Sequence, residues 1–486
     1  MDGTVNNRNG PALSRIFWLA AAVLTAGLLR FFRLGHQSLW ADEVGTWVNV
    51  LNHNSSIAHF AFHANNAPPL YFWALYPVLQ ILGSGEFALR ILSAVCGVLS
   101  VPVLWMVARR FFPKGAAAEL AAFLLALNPL HIWFSQEARP YAFFVLLFLA
   151  TCLQFLHAMD KPDRLWRWFW LTVFLVLCAL THTLAIILGG LFFCWFFFAG
   201  PNRKSLTGLA VSGAVFCAVV LPVVFYISRI GGVAPAPRPF SGFEIPYTFF
   251  SFLAGYSYGP PVRDIQMHGL SSALSAYAPQ VLTVLCALGL LGLTACRKFS
   301  REQLPVFIWI LIPVLMAAAI AWLTPHSYNV RFTLPALPGF LLLIADLLTK
   351  LSRYGRVALG TLIAGLFLWA DMQWFFVPAY GKEDSRSAVR TVLRECSNLK
   401  AVAIAPAYMA DTVRYYLSRF EHVAEVCPVS GPFPPEAEAL MLTRCQHIPF
   451  IDGLKAKITE SGDRVLSETG YEIFVRTPSL RIQTGE

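Results

Sequence analysis

The chain has 486 residues, 57% of them hydrophobic and only 13% charged, with forty Phe and fourteen Trp. Soluble domains carry roughly 25% charged residues, so a water-soluble core of this length is excluded and a polytopic membrane protein is the class that remains. The net charge of +10 would elsewhere point to nucleic acid, but 24 Lys+Arg face 13 Asp+Glu through residue 377 and 13 face 14 beyond it, so the excess belongs to the membrane part and no nucleic-acid partner is expected.

A helix crossing needs about 20 apolar residues, with a range of ~17–25. Stretches of that order run over 15–32, 88–108, 117–134, 140–158, 168–184, 185–200, 206–228, 279–296, 304–323, 333–349 and 357–377, which predicts eleven spans. Arg30 and Arg33 follow the first without a small-residue cleavage site, so it reads as a retained span and not a signal peptide. Alternate connections carry Arg8 and Arg15; Arg109, Arg110 and Lys114; Lys161, Arg164 and Arg167; Arg203 and Lys204; Arg297, Lys298 and Arg301; and Lys350, Arg353 and Arg356. That one-sided bias predicts a cytoplasmic face and a cytoplasmic N-terminus. The long outer loops are then 33–87 and 229–278, and the short outer turns 135–139 and 324–332. Counting 67–83 (APPLYFWALYPVLQILG) as a span would put Arg109, Arg110 and Lys114 outside. Its three prolines and its Tyr and Trp fit a helix lying in the interface. No internal repeat is evident, so the repeat architecture of many transporters has no support here.

After the last span the composition changes. Helix 384–395, strand 400–405, helix 408–418, strands 422–427 and 439–444, helix 450–461 and strand 471–477 predict a small α/β domain. The chain therefore divides into a membrane domain, 1–377, and an extracytoplasmic domain, 378–486. Of ten Cys, seven lie in or beside apolar segments, where Cys behaves as a small hydrophobe. Cys396, Cys427 and Cys445 fall in the tail, where one disulfide with one Cys left over is open and the pairing is not readable.

Acidic residues are scarce in the membrane part, so each can be weighed. Asp160, Asp163 and Glu302 sit among basic loop residues as surface charge pairs; Glu119, Asp346 and Asp371 lie near helix ends; Glu86 is spaced to pair with Arg90 one turn later. Asp42 and Glu43 stand apart. They follow Trp40 just outside the first span, where a carboxylate can take a proton from an alcohol at headgroup depth, although Asp42 is also placed to cap the next helix. In the turn 135–140, Glu137 can orient a substrate or metal, or pair with Arg139, which can meet an anion. Arg331, at an outer helix start, can snorkel to lipid phosphate or bind a substrate phosphate. The outer histidines His36, His53, His59, His63, His182 and His326 lack metal-ligand spacing and read as structural or surface residues; His63, beside Asn65 and Asn66, is the exception. His63, Asn66 and Tyr328 are candidate substrate-site residues. No phosphate-binding Gly-rich motif occurs in a suitable context.

The runs RLGHQSLWADE, NNAPPLYFW, GEFALRILSAVCGVLSVPVLWMVARRFF, NPLHIWFSQEARPYA and RFTLPALPGF, in that order, resemble glycosyltransferase family 39, the polyprenyl-phosphate-sugar-dependent enzymes of the GT-C fold that include protein O-mannosyltransferases and the aminoarabinose transferase of lipid A. The resemblance covers about residues 14–350, and YGKEDSRSAVRTVL is similar to the start of the outer domain in bacterial members. It implies an all-α GT-C membrane domain of about eleven helices with a small C-terminal α/β domain, in a bacterial inner membrane. It implies a hexosyl- or pentosyltransferase using a polyprenyl-phosphate-linked sugar and a protein, lipid or glycan acceptor. Asp42 matches the family's proposed base, Glu43 its neighbour, and Glu137 the second acidic position, where many relatives have Asp. Arg331, with Arg139, would bind the donor phosphate. Ala67 replaces the His of the His-Pro-Pro-Leu motif found in O-mannosyltransferases, so a role resting on that His is not carried over. A divalent metal is left open because metal use differs among GT-C enzymes. The alternative is a transporter or flippase for a lipid-linked or anionic substrate, which would set such charges near mid-span and not at outer span ends.

Overall fold

Helices account for the membrane domain because apolar residues in lipid must satisfy every backbone group within the segment. A computed structural model describes residues 10–52, 68–200, 202–230, 240–261, 264–265, 270–324, 327–429, 434, 437–443 and 464–475. Helix α1 (Gly10–Phe31) is followed by helices α2 (Ala41–Asn52) and α3 (Leu70–Leu82), then by α4 (Glu86–Phe111), α5 (Ala117–Leu127), α6 (Pro129–Ser135), α7 (Tyr141–Asp160), α8 (Leu165–Ala179), α9 (Ile186–Phe198) and α10 (Arg203–Ile230). Helices α11 (Glu244–Ala254) and α12 (Leu270–Ala276) lie between α10 and α13 (Ala278–Lys298), which is followed by α14 (Leu304–Leu323), α15 (Leu337–Lys350) and α16 (Arg353–Phe376).

Among the described residues eight helices are long and apolar enough to cross a membrane, or nine if α5 and α6 count as one bent span; α3, α8 and the segment Thr183–Phe198 are shorter apolar helices. The chain is a multi-pass membrane protein. The expected continuous span 117–134 is broken by 57° between α5 and α6. Asn128 and Pro129 are the cause. Pro disfavours the helical conformation in the residue before it and is at home in a helix's first turn, and the Asn128 side chain caps α6 by accepting the His131 amide at 3.0 Å. The same side chain donates to the Phe252 carbonyl at 2.8 Å, tying the break to α11. Gly97 of α4 lets α6 approach, since a Cβ there would lie 2.1 Å from Ser135 Oγ.

The 13-residue α3 spans about 20 Å at 1.5 Å per residue, short of the ~30 Å hydrocarbon core. It buries Tyr71, Phe72, Leu75 and Leu79 in a core shared with Leu39, Val44 and the C-terminal domain's Val413, Tyr415 and Tyr416.

That domain starts with α17 (Ser385–Glu395) and contains α18 (Ala410–Arg419) and strands β1 (Ala401–Ala405), β2 (Glu425–Pro428), β3 (Ala439–Thr443), β4 (Arg464–Glu468) and β5 (Tyr471–Val475) in one sheet of order β2-β1-β3-β5-β4. β1 runs parallel to β2 and β3, while β3–β5 and β5–β4 are antiparallel. The expected helix 450–461 and Cys445 lie outside the described residues. Polar bonds fasten this domain to the connection between α1 and α4: Leu39 N donates to Tyr416 Oη at 2.7 Å, Tyr415 Oη to the Ser84 carbonyl at 2.8 Å, and Lys382 N to Gln37 Oε1 at 3.1 Å.

Candidate active site

The expected Glu86–Arg90 pair does not form. Arg90 turns instead to Glu43, donating from Nε to Oε1 and from Nη2 to Oε2, each at 2.7 Å. Its Nη1 and Nη2 also meet the Leu34, Gln37 and Ser38 carbonyls at 2.8–3.0 Å. Glu86 pairs with Arg386 of the C-terminal domain at 3.3 Å. A planar fork can satisfy a carboxylate and a bent backbone together, so the tertiary partner prevails over the neighbour one turn away.

Glu43 is fully buried. Besides Arg90 it accepts the Ala138 amide at 2.8 Å and pairs with Lys382 Nζ at 3.0 Å. Burial alone would push its carboxyl up; Arg90 and Lys382, with the Arg90 hydrogen bond and the Ala138 amide, outweigh that and hold it at about 2. Glu43 thus ties together the connection between α1 and α4, α4 itself, the 135–140 turn and the start of the C-terminal domain.

Asp42 is different in kind. Its side chain is 36% exposed and its Oδ2 meets Arg331 Nη1 at 3.2 Å. Arg139 Nη1 donates to the Asp42 carbonyl at 3.2 Å. The Arg331 guanidinium lies 5.9 Å from the centre of the Tyr141 ring and 5.4 Å from that of Phe332. The loop, the turn and the 3-10 segment Val330–Ala336 ahead of α15 therefore converge on one carboxylate flanked by two arginines. Among the described residues, buried Nε of Arg139, Nε of Arg331 and Oε2 of Glu137 have no hydrogen-bond partner. Orphaned buried polar atoms are costly, and three of them around one half-exposed carboxylate mark a place where a ligand would complete the bonding.

Glu137 is 1% exposed. Burial pushes its carboxyl up, Lys382 opposes this, and Glu43 and Asp42 add to the rise, leaving it at about 7. Burial depresses Lys382, against the pull of Glu43.

Of the remaining candidates, Tyr328 bonds through its hydroxyl to Thr248 Oγ1 on α11 at 2.7 Å, and His63 and Asn66 lie outside the described residues. Asp160 pairs with Arg110, and Asp163 with Lys204, as surface pairs. Among the described residues no group of three or more His, Cys, Asp or Glu is set to hold a metal ion. With both Glu43 oxygens already engaged, Asp42 and Glu137 alone do not make a metal donor set. Arg90 and Lys382 are the residues that reading by spacing missed. A lone Arg inside a span is costly and signals a specific partner; nothing in the sequence placed Lys382 beside Glu43.

Residues 66–226 match the family described as dolichyl-phosphate-mannose-protein mannosyltransferase. In the solved structures, the apo ArnT of Cupriavidus metallidurans aligns over 96% of this chain and 99% of its own, with a TM-score of 0.55 at 14% identity. The same protein bound to undecaprenyl phosphate gives 0.56 at 13% identity, over 95% of this chain and 98% of its own. The chain has the GT-C fold. The oligosaccharyltransferase of Archaeoglobus fulgidus, in a complex with Zn and sulfate, aligns over 88% of this chain and 68% of its own, with a TM-score of 0.52 at 15% identity. Among curated proteins, an uncharacterized protein of Aquifex aeolicus (strain VF5) is 24% identical over 131 residues, 25% of this chain; the match spans about a quarter of that relative, 26%.

Proposed function

We propose that this chain is a membrane glycosyltransferase that moves a sugar from a polyprenyl-phosphate donor to an acceptor hydroxyl at the outer face of a bacterial inner membrane. The observation that carries the reading is the contrast between adjacent carboxylates: Glu43 is sealed by Arg90 and Lys382, while Asp42 is half-exposed between Arg331 and Arg139. The match to a mannosyltransferase family and the fold shared with an ArnT that binds undecaprenyl phosphate support it.

In this reading Asp42 is the base, Glu43 positions it, and Glu137 lines the acceptor side. The donor phosphate competes with Asp42 for Arg331. As Arg331 and Arg139 take the phosphate oxygens, the Asp42 carboxylate is released to receive the acceptor's proton. The acceptor oxygen then attacks the anomeric carbon, the bond to the phosphate oxygen breaks on the opposite face, and the charge that grows on the departing polyprenyl phosphate meets the two guanidiniums. One displacement inverts the anomeric centre. A preorganised donor aimed at developing charge contributes on the order of 3 kcal/mol, and positioned general-base catalysis roughly 10²–10⁴-fold.

The test incubates the purified full-length protein in lipid vesicles with candidate polyprenyl-phosphate sugars and acceptors. Sugar on the acceptor together with free polyprenyl phosphate is the expected result. Movement of the lipid-linked sugar across the bilayer with no transfer product would overturn the reading in favour of a flippase.

A further inference from the structure

The connection between α8 and α9 touches both α3 and the start of α7. Its Leu180 carbonyl accepts the Leu70 amide at 2.8 Å, which joins it to the first turn of the short outer helix α3. Two residues on, His182 begins a 3-10 turn, Thr183–Ala185, and its Nδ1 accepts the Leu184 amide at 3.2 Å. A ring nitrogen that accepts cannot carry the proton, so the neutral ring is protonated at Nε2.

The ring packs 5.7 Å from Tyr141 and 5.6 Å from Phe144, between centroids. Tyr141 is the same residue whose ring meets the Arg331 guanidinium. Tyr141 therefore joins His182 to Arg331 in one wall of the site, with Arg139 near enough to act on the same imidazole. The charged groups facing His182 are Arg139 and Arg331; burial first, then these two cations, hold its pKa down at about 3.

We propose that His182 is a third ligand of the donor phosphate, a neutral imidazole whose Nε2–H donates beside Arg139 and Arg331. The inference rests on the donor site assigned above. Two guanidiniums already bring two positive charges to this wall, and a third cation would repel them before the donor arrives. A neutral N–H adds a directed hydrogen bond without that cost. Capping alone does not call for an imidazole, because Asn, Asp and Ser cap better and are smaller. What the imidazole adds is a second polar atom, on the far side of the ring from the cap.

That difference in reach supplies the test. His182→Asn keeps an acceptor near the position of Nδ1 and caps the turn, but its amide stops short of Nε2. His182→Gln can place an N–H near Nε2 and loses the cap. Binding of undecaprenyl phosphate to the detergent-solubilised full-length protein, followed by native mass spectrometry, should weaken about 10-fold in His182→Asn, the loss expected for one hydrogen bond to a charged group. His182→Gln should bind within about 2-fold of wild type, since the donor survives. Wild-type binding by His182→Asn overturns the proposal, and so does weakened binding by His182→Gln alone, which would leave the ring only its capping role. Arg331→Gln separates the two levels of inference. If it weakens binding while His182→Asn does not, only the role of His182 fails; if Arg331→Gln and Arg139→Gln both bind as wild type, the donor site itself fails.

Discussion

Glu43→Gln tests what holds the site together. The carboxylate takes two hydrogen bonds from Arg90 at 2.7 Å, one from Ala138 at 2.8 Å, and a Lys382 contact at 3.0 Å, all buried. A neutral amide is nearly the same size but leaves Arg90 and Lys382 as buried cations without a counter-charge, and its NH2 faces donors. Removing one partner of a buried pair costs about 3–5 kcal/mol, against a total stability of roughly 5–15 kcal/mol for a domain. A second substitution sharpens the test. Glu43→Leu with Arg90→Met removes both charges of that pair, but Lys382 stays buried without its counter-charge, and the carbonyls of Leu34, Gln37 and Ser38 and the amide of Ala138 lose their partner. The double variant should therefore recover part of the lost stability and not all of it. Thermal unfolding of detergent-solubilised wild type, single and double variants reads this directly. A Glu43→Gln protein that melts with wild type would refute the clamp and return Glu43 to the list of residues free for chemistry.

Three further outcomes follow. Glu137 is protonated in the folded state up to about 7 and ionises earlier once unfolded, so the folded protein binds more protons between those two values, and its stability should fall as pH rises through that window, by at most about 1.4 kcal/mol per pH unit; a pH series of melting temperatures shows the slope, and Glu137→Gln should flatten it. Lys382→Met removes the cation that opposes the rise at Glu137, so the upper edge of that window should move to higher pH while its lower edge, set by the unfolded chain, stays; Lys382→Arg should leave both near their original places. Arg386→Ala breaks the pair with Glu86 at 30% and 12% exposure and the bond to the His36 carbonyl; a partly exposed pair contributes about 0–1 kcal/mol, so melting should shift little, and a large drop would show that docking of the C-terminal domain hangs on these two contacts.

Much of the architecture was legible because the bilayer imposes simple rules. The apolar stretches located membrane-capable helices, eight or nine among the described residues where eleven spans are expected from sequence, whereas the break between α5 and α6 was not read, although the Asn128-Pro129 step sits at it. The C-terminal order helix–strand–helix–strand–strand was readable from β1 through β3. Strand β4 was not, since Arg464–Glu468 (RVLSE) has a polar composition and belongs to the sheet only through β5. Scarcity of charge made Asp42, Glu137, Arg139 and Arg331 conspicuous, and the structure brings Asp42 together with both arginines. The division of labour inside the Asp42-Glu43 pair was hidden. Neighbouring residues on a helix face different directions, so one carboxylate turns into the protein and the other toward the site, and the direction of each depends on Arg90, 47 positions away. Likewise the i, i+4 spacing of Glu86 and Arg90 permits a pair, but spacing cannot rank it against a partner delivered by the fold.

The central claim is that Asp42 performs the chemistry while Arg331 holds the donor. Its most direct test measures donor binding and sugar transfer on the same preparations of wild type and Asp42→Asn. The account predicts that Asp42→Asn binds undecaprenyl phosphate at least as well as wild type, because Arg331 loses a competitor, while transfer falls by about 10²-fold or more. Transfer at the wild-type rate by Asp42→Asn would contradict it.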